Sequence, residues 1–352
     1  MNPQEQRLDY PLGDRLPAPG TTLEVLPGLR WVRMGLPFAL DHINLWLLRD
    51  RLDGKDGWTL IDCGIANDAT REAWEQVFAA ELEGLPVLRV IVTHMHPDHI
   101  GLAHWLTERW GCRMWISATD YNAARVGSLR AGGHGGDSAA AFFASHGLTD
   151  PDSVERVRQR GNYYASMVPR VPEQFRRLMD GQALAIGSRA WHCIAGYGHA
   201  PEHISLQASE GGPVLISGDM LLPRISTNVS VFDIEPEANP LPLYLESLRR
   251  LRTLPEDTLV LPSHGRPFRG LHERVRQLEE HHAERLKEVM DACATAPRCA
   301  ADLLEVMFKR KLDLHQTTFA MGEALAHLHA LWFEGRLTRE RGGDGIWRFA
   351  SA

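Results

Sequence analysis

The stretch Val92-Thr93-His94-Met95-His96-Pro97-Asp98-His99-Ile100-Gly101 decides the fold of this 352-residue chain. It places three histidines and an aspartate within six residues, directly after the apolar run 87–92. A turn between a strand and a helix aims successive side chains inward, so imidazole and carboxylate groups at this spacing can converge on one or two divalent cations. The sequence therefore predicts a metal site here.

Three further ligand-type residues follow apolar, strand-like segments later in the chain. His199 follows the run 190–195, and Asp219 and His264 close two later runs. Buried strands deliver their carboxyl ends to loops, where rigid scaffolds place chemistry. A single His-x-His pair is more often a solvated pair, and a lone aspartate at a strand end is usually a turn residue. Seven ligand-type residues at strand ends instead favour a metal centre.

Four motifs follow one another along the chain: H-x-H-x-D-H, a G-H in a Pro-containing loop, a G-D and a terminal S-H-G. In this order they resemble the metallo-β-lactamase superfamily, over about residues 20–280. The resemblance implies two metal sites, with ligands His94, His96 and His199 for the first, Asp98, His99 and His264 for the second, and Asp219 as the bridge.

Two further residues match supporting positions of the superfamily. Asp62 stands in the early D-x-G motif, which implies a role in holding a ligand rather than the metal. His203 is the second histidine of the G-H loop, and Glu202 precedes it where relatives often carry glycine. We therefore expect His203 to support the ligands from outside the metal site.

The resemblance implies an α/β fold, a four-layer αββα sandwich with helices outside two sheets, and the strand–helix alternation is compatible with it. The sequence predicts an N-terminal arm over 1–20 and a catalytic domain over 21–282. Residues 283–352 contain three helical patterns followed by a strand–turn–strand pattern. This order of elements resembles the winged-helix unit that some superfamily members carry.

Residues 121–180 lack a ligand motif and form a predicted helical insertion. A helix is predicted over 152–167, with Asp152 or Ser153 as its N-cap. One interpretation is a lid whose aromatic residues line the substrate pocket; the other is a pair of helices that only pack on the sandwich. In the lid interpretation, Phe143, Tyr163 and Tyr164 line the substrate pocket. His134 lies in a glycine-rich loop of the same insertion that could reach the site.

Composition narrows the function classes. The formal net charge is −7, which disfavours broad nucleic-acid binding, and residues 284–352 carry as many acidic as basic side chains. No apolar stretch approaches the ~20 residues of a membrane span, and the first residues lack the plan of a signal peptide. The five cysteines form no C-x-x-C pair. We expect a cytoplasmic protein with a small-molecule substrate, no membrane partner, and a homodimer as one assembly option.

The predicted chemistry follows from the paired sites. Two cations that share Asp219 would hold a hydroxide as nucleophile, and Asp98 would act as the catalytic residue that orients it. The resemblance is to glyoxalase II-like and lactonase-like hydrolases, which implies cleavage of a thioester, lactone or other ester-type bond, with zinc as the expected metal and iron or manganese as alternatives. A mononuclear iron centre like that of persulfide dioxygenases, and a ribonuclease or phosphodiesterase, stay open as alternatives.

Overall fold

The structure is a computed structural model that describes residues 5–129, 135–309 and 312–352. His134, the histidine of the glycine-rich loop, lies outside these ranges. Two large sheets and a small one make up the β-structure of the described residues.

The first sheet has seven strands in sequence order. Its first four strands run antiparallel, and the later pairs are parallel. Because the carboxyl ends of parallel strands meet at one edge, the loops that follow the fourth, fifth and sixth strands lie side by side. The strands are β1 (Thr22–Leu26), β2 (Leu29–Gly35), β3 (His42–Leu52), β4 (Lys55–Ile61), β5 (Val87–Ile91), β6 (Arg113–Ser117) and β7 (Phe175–Leu178).

The second sheet has five strands, in the order twelfth, eleventh, tenth, ninth and eighth of the chain. The pair formed by the eleventh and twelfth strands is parallel, and the other pairs are antiparallel. Its strands are β8 (Ala183–Ile186), β9 (Arg189–Gly196), β10 (His203–Ala208), β11 (Val214–Gly218) and β12 (Leu259–Pro262).

Helices cover the outer faces of both sheets. The helices of the described residues are α1 (Asp68–Ala80), α2 (Pro97–Ile100), α3 (Ala103–Trp110), α4 (Ala118–Ser128), α5 (Gly136–Ser145), α6 (Pro151–Arg158), α7 (Tyr163–Met167), α8 (Pro240–Leu251), α9 (Leu271–Thr295), α10 (Leu304–Met307) and α11 (Leu314–Phe333). A hairpin ends the chain, formed by β13 (Leu337–Arg341) and β14 (Trp347–Ser351).

Three apolar clusters hold these layers together. The cluster between the two sheets includes the buried indoles of Trp31, Trp46 and Trp191. A second cluster packs α1 and α3 against the first sheet, and a third packs α8, α9 and the C-terminal helices against the second. Burial of this apolar surface is the main stabilising contribution. The arrangement confirms the expected αββα sandwich with a small C-terminal unit.

The helix predicted over 152–167 is wrong in its bounds. The chain instead forms the separate helices α6 and α7, with a glycine-containing turn between them. The N-cap is Asp150, not Asp152 or Ser153, because Asp150 Oδ2 accepts the Ser153 N–H at 2.9 Å. Proline at the first helical position, Pro151, favours this start because its missing N–H needs no partner there.

The C-terminal unit is attached to the sandwich by a continuous helix. Helix α9 spans 25 residues and runs through position 282, where the sequence predicts the end of the catalytic domain. Helix α11 approaches the sandwich closely at Gly322, whose carbonyl accepts the Val231 N–H at 3.1 Å. A Cβ atom at Gly322 would lie 2.7 Å from Ser230 Cβ, so only glycine fits this contact without rearrangement.

Candidate metal centre

The seven predicted ligands converge at the edge where both sheets end. They reach it from loops that follow β5, β9, β11 and β12. Their ligand atoms form two groups, each within 4.8 Å: His94, His96, His199 and Asp219 in the first, and Asp98, His99 and His264 in the second.

The Asp219 carboxylate lies between the two groups. Its Oδ2 is 3.3 Å from His199 Nε2, and its Oδ1 is 3.5 Å from His99 Nε2 and 3.4 Å from His264 Nε2. Within the second group, Asp98 Oδ2 is 3.4 Å from His264 Nε2. The Asp219 carboxylate therefore lies close to histidines of both groups, as a ligand shared by two cations would.

The donor set fits divalent cations. His94 Nε2 lies 2.9 Å from His96 Nδ1 and 3.2 Å from His199 Nε2, so ring nitrogens face one another rather than a carbonyl or carboxylate. The buried atoms His99 Nε2 and Asp219 Oδ1 lie 3.5 Å apart, yet neither forms a hydrogen bond of good geometry with any described residue. Buried polar atoms without partners are costly, and a cation held by imidazole and carboxylate groups would satisfy them.

The two groups differ in their electrostatics. Burial and the neighbouring imidazoles lower the pKa of His94 and His96 well below the ordinary value. Burial also disfavours the charged form of His264, but the carboxylates of Asp219 and Asp98 outweigh it and raise the pKa of His264 to about 10. The same carboxylates and a third one raise the pKa of His99 against the effect of burial. At neutral pH, His94 and His96 are therefore neutral imidazoles, whereas His99 and His264 are imidazolium groups beside carboxylates.

Asp62 supports the ligand His99. The Asp62 carboxylate is buried, and His99 Nδ1 donates to its Oδ2 at 2.8 Å, which leaves Nε2 to face the metal centre. Asp62 Oδ1 also accepts the Thr93 N–H at 2.7 Å and so fixes the start of the motif loop. Its backbone adopts a left-handed conformation, with φ of 61°.

Backbone carbonyls orient two more ligands. His199 Nδ1 donates to the Asn228 carbonyl at 2.7 Å, and His264 Nδ1 donates to the His42 carbonyl at 2.7 Å. In each case the other ring nitrogen, Nε2, is directed at the centre. Sequence reasoning missed both acceptors, because a backbone carbonyl belongs to every residue type.

His203 lies beside the centre and outside both ligand groups. Its Nε2 accepts the backbone N–H of Asp219 at 3.1 Å, so it holds the Asp219 backbone in place. His203 therefore contacts the Asp219 backbone and belongs to neither ligand group.

A cavity of about 910 Å³ opens onto the metal centre. Phe143, Tyr163 and Tyr164 of the insertion line it, as the lid interpretation requires. All three also have contacts within the protein. Phe143 is 4% exposed and packs in an apolar cluster, and the Arg160 guanidinium lies 5.3 Å from the centroid of the Tyr163 ring. The Tyr164 hydroxyl donates to the Met95 carbonyl at 2.6 Å.

The C-terminal unit contributes a wall of the same cavity, through residues that the sequence analysis does not single out. Phe308, Phe319 and Glu323 line it beside the metal ligands. Burial raises the pKa of the Glu323 carboxyl to about 7. No local sequence signal marks these residues, because their place in the site depends on how α11 packs against the sandwich.

These features define a metal-binding αββα sandwich protein, and comparison with known proteins identifies its family. The chain matches the model of the metallo-beta-lactamase superfamily over residues 39–264 and that of the metallo-beta-lactamase-like C-terminal domain over residues 286–352. The chain belongs to the metallo-beta-lactamase superfamily, whose fold implies divalent metal binding.

Solved structures and a curated relative agree with this assignment. A beta-lactamase domain protein from Burkholderia ambifaria is 56% identical, with full coverage of both chains and a TM-score of 0.95. A metallo-beta-lactamase family protein from Thermus thermophilus is 29% identical, with 94% of this chain and 100% of that chain covered and a TM-score of 0.76. The probable metallo-hydrolase YqjP of Bacillus subtilis (strain 168) is 25% identical over 325 residues, covering 90% of this chain and 96% of the relative. The likeness to proteins of this kind therefore extends over nearly the whole chain.

A membrane-crossing helix is absent from the part of the chain that the structure describes: none of its helices combines the length and the apolar character that a span needs.

Proposed function

We propose that this protein is a binuclear metallohydrolase that cleaves a thioester, lactone or other ester-type bond of a small molecule. The observation that carries the proposal is the position of Asp219, whose two carboxylate oxygens face two complete ligand groups. Zinc is the metal we expect first, with iron or manganese as alternatives, because mixed imidazole and carboxylate ligands accept all three.

The residues of the centre have distinct tasks in this reaction. Divalent cations, when bound, lower the pKa of water toward neutrality and polarise a carbonyl oxygen. Asp98 orients the attacking water and relays its proton toward the leaving group. His99 and His199 are held by Asp62 and the Asn228 carbonyl, so the ligand set is preorganised before substrate arrives.

The cavity supports a substrate with a bulky apolar group. Its volume of about 910 Å³ lies near the upper end of the range for small-molecule sites, and aromatic rings from the insertion and from the C-terminal unit line it. Outside the metal centre, the described lining residues include one arginine, Arg160, and three acidic residues, Asp233, Asp313 and Glu323. This balance, with the net charge of −7, favours an ester-type substrate over a nucleic acid.

The test is metal analysis of the purified protein joined to an activity panel. The panel contains thioesters, lactones, phosphodiesters and RNA, and oxygen uptake is recorded with a persulfide substrate. We expect two metal ions per chain and hydrolysis of an ester-type substrate without oxygen uptake. One metal ion per chain under metal-replete conditions, or turnover confined to RNA or to the persulfide, would contradict the proposal.

Variants of the centre connect the activity to these residues. Asp219→Ala and Asp98→Ala should lower turnover by orders of magnitude with the fold intact, since each removes a group that holds or orients the nucleophile. His192→Ala is the matched control, because His192 is an exposed residue of β9 outside the centre. Circular dichroism and melting temperature establish that the variants are folded.

A further inference from the structure

Asp120 is a buried carboxylate that none of the sequence motifs contains. It lies in the first turn of α4, which begins where β6 ends, and β6 is the parallel neighbour of β5. The side chain is fully buried. Its Oδ1 accepts the Met95 N–H at 2.8 Å, and its Oδ2 accepts the Glu202 N–H at 2.6 Å.

These two N–H groups belong to the two loops that carry the three histidines of the first ligand group. Met95 stands between His94 and His96, and Glu202 stands in the loop of His199. One loop follows a strand of the first sheet and the other connects two strands of the second, so Asp120 joins the two sheets at the metal centre. A second hydrogen bond between the two sheets lies nearby, where the Ile204 N–H donates to the Thr93 carbonyl at 2.8 Å. Hydrogen bonds to a carboxylate are stronger than those between neutral groups.

Tyr164 binds the other backbone polar group of the same residue, Met95. Its hydroxyl donates to the Met95 carbonyl at 2.6 Å, so both polar groups of Met95 are bound by α4 and α7. The Tyr164 ring packs on Gly127 of α4, where a Cβ atom would lie 2.6 Å from the ring atom Cδ1. The absence of a side chain at Gly127 therefore lets the tyrosine reach the metal loop.

We propose that Asp120 is a positioning residue that fixes the spacing of the two ligand loops, that Tyr164 completes its hold on Met95, and that together they set the affinity of the cation bound by the first ligand group. The inference rests on the two-cation site of the proposed function. Among the described residues, neither side chain hydrogen-bonds to Asp98, His99 or His264. The second group should therefore be much less sensitive to their loss.

Asp120→Asn tests the proposal with little change in volume. The amide offers one carbonyl oxygen in place of two carboxylate oxygens, so it can accept from one loop and places an NH₂ group against the other. Zinc affinity is measured by competition with a chromogenic chelator, and the melting temperature of the zinc-free protein is recorded alongside. We expect one of the two zinc equivalents to bind about 10- to 100-fold more weakly and the other to keep its affinity.

Two matched variants separate positioning from general stability. Ser117→Ala removes the N-cap of α4 and its contact with Asp120 and leaves both loop hydrogen bonds in place. It should lower the melting temperature of the zinc-free protein and leave zinc affinity unchanged. Tyr164→Phe should weaken the same zinc equivalent as Asp120→Asn. Its control is Tyr121→Phe, because the Tyr121 hydroxyl donates to the Pro172 and Glu173 carbonyls, away from the ligand loops.

Three results would overturn the proposal: wild-type zinc affinities in Asp120→Asn, equal weakening of both equivalents, or the same affinity loss in Ser117→Ala. If the wild-type protein binds a single zinc ion, the two-cation function fails. The role of Asp120 is then tested by the affinity for that single ion. Weaker binding in Asp120→Asn but not in Ser117→Ala then supports the positioning role, and unchanged binding overturns it. Anomalous scattering at limiting zinc identifies which ligand group is occupied.

Discussion

Raising the pH should tighten the binding of divalent cations to this protein, chiefly at the second ligand group. Burial acts to lower the pKa of His264, but its Nε2 lies 3.4 Å from a carboxylate oxygen of Asp219 and of Asp98, and the pKa is raised to about 10. The pKa of His99 is raised for the same reason. An imidazole must be neutral to bind a metal ion, so occupancy of this group releases the protons of both rings.

The size of the effect follows from the number of protons displaced. At neutral pH the metal-free second group holds about two protons that binding must release, and each makes affinity rise about tenfold per pH unit below the pKa of its ring. Between pH 6.5 and 8.5 the affinity should therefore rise roughly 10²-fold for the His264 proton, and further for the His99 proton. His94 and His96, whose pKa values are lowered, contribute little to this dependence.

Calorimetric zinc titration at pH 7.5, in two buffers with different ionisation enthalpies, counts the released protons. We expect about two protons for the pH-dependent equivalent in the wild-type protein and about one in His264→Gln, which lacks the titrating ring. Identical heats in the two buffers, or zinc affinity that does not change from pH 6.5 to 8.5, would refute this account of the second group.

The other predictions concern a supporting residue, the cavity and the C-terminal unit. His203→Ala should lower kcat/KM by about 10- to 100-fold, a milder loss than His199→Ala, because His203 only holds the Asp219 backbone; equal losses would show that the two histidines are wrongly assigned. Tyr163→Ala should raise KM for long-chain esters about threefold to tenfold and leave a minimal activated ester unaffected, since about 1 kcal/mol of apolar contact is removed. The control is Tyr197→Ala, outside the cavity; a large melting shift with an unchanged ratio of long- to short-chain kcat/KM would instead indicate a purely structural insertion. Gly322→Ala should reduce the free energy of unfolding by about 1–3 kcal/mol, measured by denaturant titration, because the added methyl group meets Ser230; unchanged stability would mean that α11 packs less tightly there.

Part of the centre was predictable because its signal is local in the sequence. The H-x-H-x-D-H motif supplies four ligand-type residues in six positions, and the later ligands each follow an apolar strand. Asp62 was predictable for the same reason, as part of a short motif after a strand. Local signals were weaker in the insertion, where Asp150 rather than Asp152 caps α6, since several neighbouring side chains can serve as an N-cap.

The sequence by itself determined the superfamily, the sandwich and the residue types that meet at the candidate metal centre. Only the tertiary structure decided what holds those residues and what surrounds the substrate. The His264 ring is oriented by the His42 carbonyl, 222 positions away in the chain, and the loops of the first ligand group are joined by Asp120. Glu323 reaches the cavity through the packing of α11. Such contacts are made by backbone groups and by side chains distant in sequence, so they leave no pattern to read until the chain has folded.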